Sequence, residues 1–230
     1  MNNILETLTE ETLAQYFDHT ELRAFAVTKD FEKLCAESKQ YKFKMVAINS
    51  APVALCKKLL AGTPVHVGAA ISFPLGQTTW ETKVFETKTA ITEGADEIDY
   101  VINIGKLKEK DYTYIEKEMA EITQVCRENK VISKVIFENC YLEQDEKEEL
   151  CKIALNVRPD FIKTSTGFGT GGATLDDVRL MKRIVKDDIK VKAAGGIRTL
   201  QTACEMIEAG AERIGSTAGI SIMKEFINRE

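Results

Sequence analysis

Histidine, proline and tryptophan are scarce in this chain of 230 residues, which holds two, four and one of them. Two histidines outside any metal-ligand spacing argue against a His-based metal site, so no metal is expected. The six cysteines (Cys35, Cys56, Cys126, Cys140, Cys151 and Cys204) are scattered and form no C-x-x-C. That pattern gives no disulfide framework, and in a reducing cytosol the thiols stay free. No apolar run approaches the ~18 residues of a membrane span. The opening "MNNILETLTEETLAQ" is acidic and has neither the basic region nor the apolar region of a secretory signal, so the cytoplasm is the expected compartment. Basic charge is also in deficit, with 31 Lys and Arg against 36 Asp and Glu and a formal net charge of -5. This balance offers no nucleic-acid footprint and no polybasic membrane anchor. With no low-complexity tract and no linker, one domain over residues 1–230 is expected.

What is present is an alternation. Short apolar runs read as strands at 16–20, 44–49, 65–72, 97–103, 134–139, 161–165, 189–195 and 213–217. Helical patterns lie between them at 29–40, 51–61, 78–93, 111–129, 143–157, 174–187 and 199–209, with a closing helix near 218–227. Thr174 followed by Asp177 marks a helix start, and Gly62, Gly94 and Gly210 mark helix ends. Eight strands alternating with eight helices predict an α/β protein of the (β/α)8 TIM-barrel class. A doubly wound open sheet would usually have fewer strands and an early G-x-G-x-x-G. Here the glycine loops come late, after the sixth, seventh and eighth strands.

Polar residues on the apolar strands carry the functional signal. Side chains alternate faces along a strand. In "FIKTS" Lys163 shares a face with Phe161 and Ser165; in "IKVKAAG" Lys192 lies opposite in face to Val191 and Ala193. Asp99 in "EIDYVIN" and Lys134 in "SKVIFEN" sit on similar strands. The steps from Asp99 to Lys134, Lys163 and Lys192 are 35, 29 and 29 residues, close to the roughly 30 residues of one βα unit. The four side chains therefore converge inside one barrel. A single lysine at a strand end ordinarily snorkels to water. Several cations buried together need anions or a function. Two ammonium groups ~6 Å apart repel by about 3 kcal/mol at an effective dielectric of 20, or roughly two pKa units. Desolvation acts in the same direction, so one lysine can supply a neutral amine for imine formation while the other stays cationic. Asp99 is placed to move protons beside them.

The second half of the site is glycine-rich. "AAGGIRT" (193–199) and "RIGSTAG" (213–219) follow the last two strands, where barrels commonly hold phosphate. Closely spaced glycines let backbone N–H groups approach an anion. Ser216 and Thr217 add hydroxyls, read here as donors.

Taken together, "DFIKTSTGFGTGGAT", "VKAAGGIRT", "GADEIDYVINIG", "SKVIFE" and "RIGSTAGI" resemble deoxyribose-phosphate aldolases, in the same order and over about residues 13–222. The resemblance implies a class I aldolase on a TIM barrel, with no metal or organic cofactor. Such an enzyme cleaves 2-deoxy-D-ribose 5-phosphate reversibly to D-glyceraldehyde 3-phosphate and acetaldehyde. It further implies Lys163 as the Schiff-base lysine, Lys192 as the lysine that perturbs it and Asp99 as the proton-relay carboxylate. Asp18 and Lys134 are implied as substrate-side polar residues, and Gly167, Gly195, Gly196, Gly215, Ser216 and Thr217 as the phosphate cradle. An assembly of two or four chains is implied as well. Ala47 stands where a cysteine is common in that family, Ser50 replaces a common proline, Asn139 a frequent threonine and Ala218 a frequent serine. None of these removes a reacting group.

Overall fold

A computed structural model of the chain describes residues 4–229. The β-branched and apolar runs form β1 (Phe17–Glu21), β2 (Met45–Asn49), β3 (His66–Ile71), β4 (Glu97–Val101), β5 (Ile132–Ile136), β6 (Phe161–Lys163), β7 (Lys190–Ala194) and β8 (Arg213–Ser216). They pair in sequence order, every pairing is parallel, and β8 returns to β1 to close the barrel. The helices are α1 (Ile4–Thr7), α2 (Glu10–Ala14), α3 (Thr28–Tyr41), α4 (Val53–Leu59), α5 (Trp80–Thr92), α6 (Ile104–Lys108), α7 (Tyr112–Glu128), α8 (Gln144–Val157), α9 (Leu175–Val185), α10 (Leu200–Glu208) and α11 (Gly219–Ile227). The expected (β/α)8 alternation is thus the observed architecture.

Local signals explain the helix limits. The Thr174 hydroxyl accepts from Asp177 N at the start of α9, and Thr79 and Thr199 do the same for α5 and α10. Each cap satisfies one of the N–H groups a helix leaves without a partner. Gly62, Gly94 and Gly210 take positive φ after α4, α5 and α10, as foreseen. A short helix, α6, follows β4 where none was expected, and β5 runs over Ile132–Ile136 where the strand was expected at 134–139. Two further features differ from expectation. The N-terminal segment forms α1 and α2, the latter held by reciprocal Thr9–Thr12 capping contacts. The strand expected over 161–165 ends at Lys163. Beyond it side chains replace part of the ladder: Thr164 Oγ1 accepts from Ala194 N and donates to Ala194 O.

Strand parity divides the interior into two chemistries. Phe17, Val46, Ile48, Val67, Ile98, Tyr100, Val135, Ile162, Val191, Ala193 and Ile214 point out of the barrel into the apolar shell under the helices. Each fully buried aliphatic there contributes about 1.5–3 kcal/mol, so this shell supplies the driving force for closure. The other parity points inward and carries Asp18, Glu97, Asp99, Lys134, Lys163, Lys192 and Arg213, all buried. Barrel interiors are more often filled by branched apolar side chains. Among the described residues no helix is long and apolar enough to cross a membrane.

The loops after β6 and β7 lock together above the barrel. Ala173 N donates to Ala194 O and Gly195 O, and a Cβ on Gly172 would fall 2.3 Å from Gly195 O. Only glycine allows that approach. Gly172→Ala is expected to destabilise the fold by about 1–3 kcal/mol through overpacking. Urea denaturation checks this: a lowered midpoint with an unchanged slope is the expected result, and an unmoved midpoint would contradict the tight loop contact.

Candidate active site

Lys163 ends β6 and is held from both sides. Its register partners are Ile136 on β5 and Lys192 on β7. The hydroxyl residues that follow it anchor the loop. Thr164 binds β7, Ser165 Oγ donates to Thr164 Oγ1 at 3.1 Å, and Thr166 N donates to Glu138 Oε1 at 3.0 Å. Thr166 Oγ1 also donates to Glu138 Oε2. Glu138 is buried and has a φ of 57, an unfavourable region for a residue with a Cβ. Four contacts with neighbouring elements therefore fix the backbone around Lys163.

The lysine side chain reaches a dense charge cluster. Lys163 Nζ lies 2.9 Å from Asp99 Oδ2, and Lys192 Nζ lies 2.7 Å from the same oxygen. Lys134 Nζ takes the other oxygen, Oδ1, at 2.6 Å. Lys134 also contacts Glu97 Oε2 at 2.5 Å, and Lys192 contacts Asp18 Oδ2 at 2.5 Å. Arg213 bridges the two outer carboxylates: Nε donates to Asp18 Oδ1 at 2.8 Å, and an Nη atom donates to Glu97 at 2.6 and 2.7 Å. Met45 and Phe161 floor the cluster. Met45 Sδ lies 3.5 Å from Lys134 Nζ, and the Phe161 ring lies 5.6 Å from the Arg213 guanidinium carbon.

This environment sets the protonation states. Burial pulls the Lys163 ammonium down from 10.5 to about 8; Asp99 opposes that shift, and Lys192 and Lys134 reinforce it. The neutral amine foreseen from the sequence is therefore accessible near neutrality, but its leading cause differs from the expected one. Desolvation comes first, and lysine–lysine repulsion is secondary because Asp99 sits between the cations. Burial alone would raise Asp99, yet Lys134, Lys163 and Lys192 hold it well below the usual carboxylate range. Burial would lower Lys134, but Asp99, Glu97 and Asp18 push it up to about 12.

A cavity of about 490 Å³ opens above this cluster. Lys163 and Lys192 line it, as do Gly167, Gly195, Gly196, Gly215, Ser216 and Thr217. The remaining sequence-derived residues are placed elsewhere. Asp99, Asp18 and Lys134 do not line the cavity. Asp18 and Lys134, expected beside the substrate, lie beneath the two lysines with every charged atom engaged by neighbouring ions. Ser216, expected as a donor to the substrate, gives its proton to Ile197 O at 2.7 Å and accepts from Ala218 N at 2.9 Å. Its hydroxyl shapes the loop. Gly215 has a second reason to lack a side chain, since a Cβ there would stand 3.3 Å from Lys192 Cε. Ala47 lines the cavity, and no cysteine does among the described residues.

Sequence reasoning missed several members. Glu97 shares its strand face with Asp99, and Arg213 shares its face with Gly215, so parity could have found both. Arg198 lines the cavity two residues after Gly196. A side wall made by His19 of β1, Leu22 just after that strand, and Lys33, Leu34 and Glu37 of α3 also borders it. His19 Nε2 contacts Glu37 Oε2 at 2.9 Å. Helix α3 had no sequence cue linking it to the site. No group of three or more His, Cys, Asp and Glu side chains arranged to hold a metal occurs among the described residues.

Similarity to known proteins agrees with this geometry. The profile of the DeoC/LacD family aldolases matches residues 12–225. The deoxyribose-phosphate aldolase of Lactobacillus acidophilus is 57% identical over 214 residues, which cover 93% of this chain and 90% of that protein. The enzyme of the same name from Bacteroides thetaiotaomicron is 51% identical over 226 residues, covering 98% of this chain and 95% of its own. The tetrameric deoxyribose phosphate aldolase from Aeropyrum pernix superimposes with a TM-score of 0.87 at 28% identity, over 98% of this chain and 97% of that one. The chain belongs to the DeoC/LacD aldolase family.

Proposed function

We propose that the chain cleaves 2-deoxy-D-ribose 5-phosphate reversibly to D-glyceraldehyde 3-phosphate and acetaldehyde, through an imine on Lys163. The observation that carries this reading is a lysine at the cavity floor with its ammonium lowered to about 8, beside a second lysine that shares the same carboxylate oxygen. The neutral Lys163 amine attacks C1 of the open-chain sugar. The resulting carbinolamine loses water and becomes a protonated imine. A base removes the C3 hydroxyl proton, the C2–C3 bond breaks, and its electrons flow into the imine to give an enamine. Glyceraldehyde 3-phosphate departs with C3 to C5. The enamine takes a proton at C2, and water hydrolyses the imine to acetaldehyde and free Lys163. Lys192 lines the cavity and contacts Asp99, so a proton held between them can serve both the C3 hydroxyl and the enamine carbon.

The phosphate end of the substrate is assigned to the loops after β7 and β8, with Gly167 from the β6 loop. Their glycines admit close backbone approach, and α11 begins directly behind Ser216 and Thr217. Arg198 adds a cation at that end. Holding the phosphate away from the reacting bond lets remote binding energy orient C1 over Lys163. An assembly of two or four chains belongs to the same proposal, supported by the tetramer of the Aeropyrum pernix relative.

Four outcomes are expected. Borohydride reduction with acetaldehyde should label Lys163 in peptide mass spectrometry, and a label on any other lysine would overturn the nucleophile assignment. Lys163→Arg should abolish labelling and lower kcat by on the order of 10³–10⁶-fold with the fold intact by circular dichroism. The labelling rate should fall about tenfold per pH unit below the value near 8 and level off above it, because only the unprotonated amine attacks. Lys192→Leu should move that limb to higher pH, since it removes a repelling cation and frees Asp99 for Lys163; an unmoved limb would contradict this role.

A further inference from the structure

The buried contacts form a closed circuit. Asp99 meets Lys134, Lys134 meets Glu97, Glu97 meets Arg213, Arg213 meets Asp18, Asp18 meets Lys192, and Lys192 returns to Asp99. Charges alternate around it. Each carboxylate touches two cations of the circuit, and each cation touches two carboxylates. Its three positive and three negative charges cancel. Lys163 stands outside as a fourth cation, with one contact only, to an Asp99 oxygen already engaged by Lys192.

We propose that Glu97 and Arg213, which do not line the cavity, are positioning residues for the reaction: they close the charge circuit and thereby make Lys163 the cation without a carboxylate of its own. A cluster this deep tolerates an unmatched charge poorly. The proton that relieves the imbalance is the one on the least-paired cation, which is the amine that must become a nucleophile. The inference rests on the imine reading of Lys163.

The ionisable groups on inward positions around Lys163 are Asp18 from β1, His66 from β3, Glu97 and Asp99 from β4, Lys134 from β5, Lys190 and Lys192 from β7 and Arg213 from β8; inward positions Met45 and Ala47 of β2 carry no charge. Lys190, at the outer end of β7, has its Nζ 5.6 Å from the Phe161 ring and contacts no carboxylate of the circuit. His66 and Lys190 reach solvent, and His66 Nδ1 lies 2.7 Å from Glu97 Oε1. Glu138, beyond β5, is turned to Thr166 instead.

The circuit makes a signed prediction. Glu97→Gln leaves a surplus of cations and draws Asp99 toward Lys134, so the acid limb of acetaldehyde–borohydride labelling at Lys163 should move down by about one pH unit. Arg213→Met leaves a surplus of carboxylates, and the limb should move up by about the same amount. The double variant E97Q/R213M removes one charge of each sign and should bring the limb back toward that of the wild-type protein. Purely structural roles would loosen the site in both single variants and move the two limbs in one direction, or lower the labelling amplitude with no movement; either result overturns the proposal. If a single variant does not fold, E97Q/R213M and the charge-retaining Arg213→Lys decide the matter: both should keep the wild-type limb, and a shift of a full unit in either overturns the balance argument. Failure of the wild-type protein to label at Lys163 would instead strike the imine reading, so the two failures are distinguishable.

Discussion

The carboxylate of Asp99 is the contact on which the rest of the interior depends. One oxygen faces Lys134, and the other is shared by Lys163 and Lys192. Three ammonium groups in a dry barrel would be prohibitive without an anion among them. Asp99 alone is insufficient, and the structure answers with Glu97 and Asp18, tied to each other through Arg213. The lumen is therefore an ionic lattice where most barrels carry aliphatic side chains. Stability is drawn from the apolar shell between strands and helices, which leaves the lumen free to be arranged for chemistry.

That separation has a chemical consequence. A lysine paired as fully as Lys134 is pushed up to about 12, while Lys163, with one shared contact, falls to about 8. The two residues lie on adjacent strands and share the same low-dielectric surroundings. Partner count accounts for the difference: Lys134 has two carboxylates and Lys163 part of one. Reactivity follows from an arrangement of neighbours, with burial providing the leverage that makes each neighbour matter.

Geometry supports the same division of labour. The glycine loops after β6, β7 and β8 meet above the cluster, and Gly172 packs against Gly195 so closely that no side chain fits between them. Gly215 keeps space for the Lys192 side chain while also lining the cavity. Ser216 spends its hydroxyl on Ile197 and Ala218. The loops are thus braced from within, which preorganises their backbone for an anion.

Much of this was legible in the sequence by itself. The period of apolar runs and helical stretches specified eight βα units, because strand and helix periodicities are local properties of the chain. Parity and the near-constant steps between Asp99, Lys134, Lys163 and Lys192 specified inward side chains on consecutive strands, because a barrel repeats the same geometry in each unit. The closed circuit was not legible. Asp18 and Arg213 are separated by 195 residues and Lys192 and Asp99 by 93, and only barrel closure decides which carboxylate meets which cation. The same holds for the α3 wall of the cavity and for the Ser216 hydroxyl, whose acceptor is a carbonyl 19 residues earlier on the neighbouring loop. The sequence alone determined which side chains face the lumen, since facing is a matter of local period. Tertiary structure decided their partners, and with them which lysine is left to react, since pairing in a buried space is a property of distance.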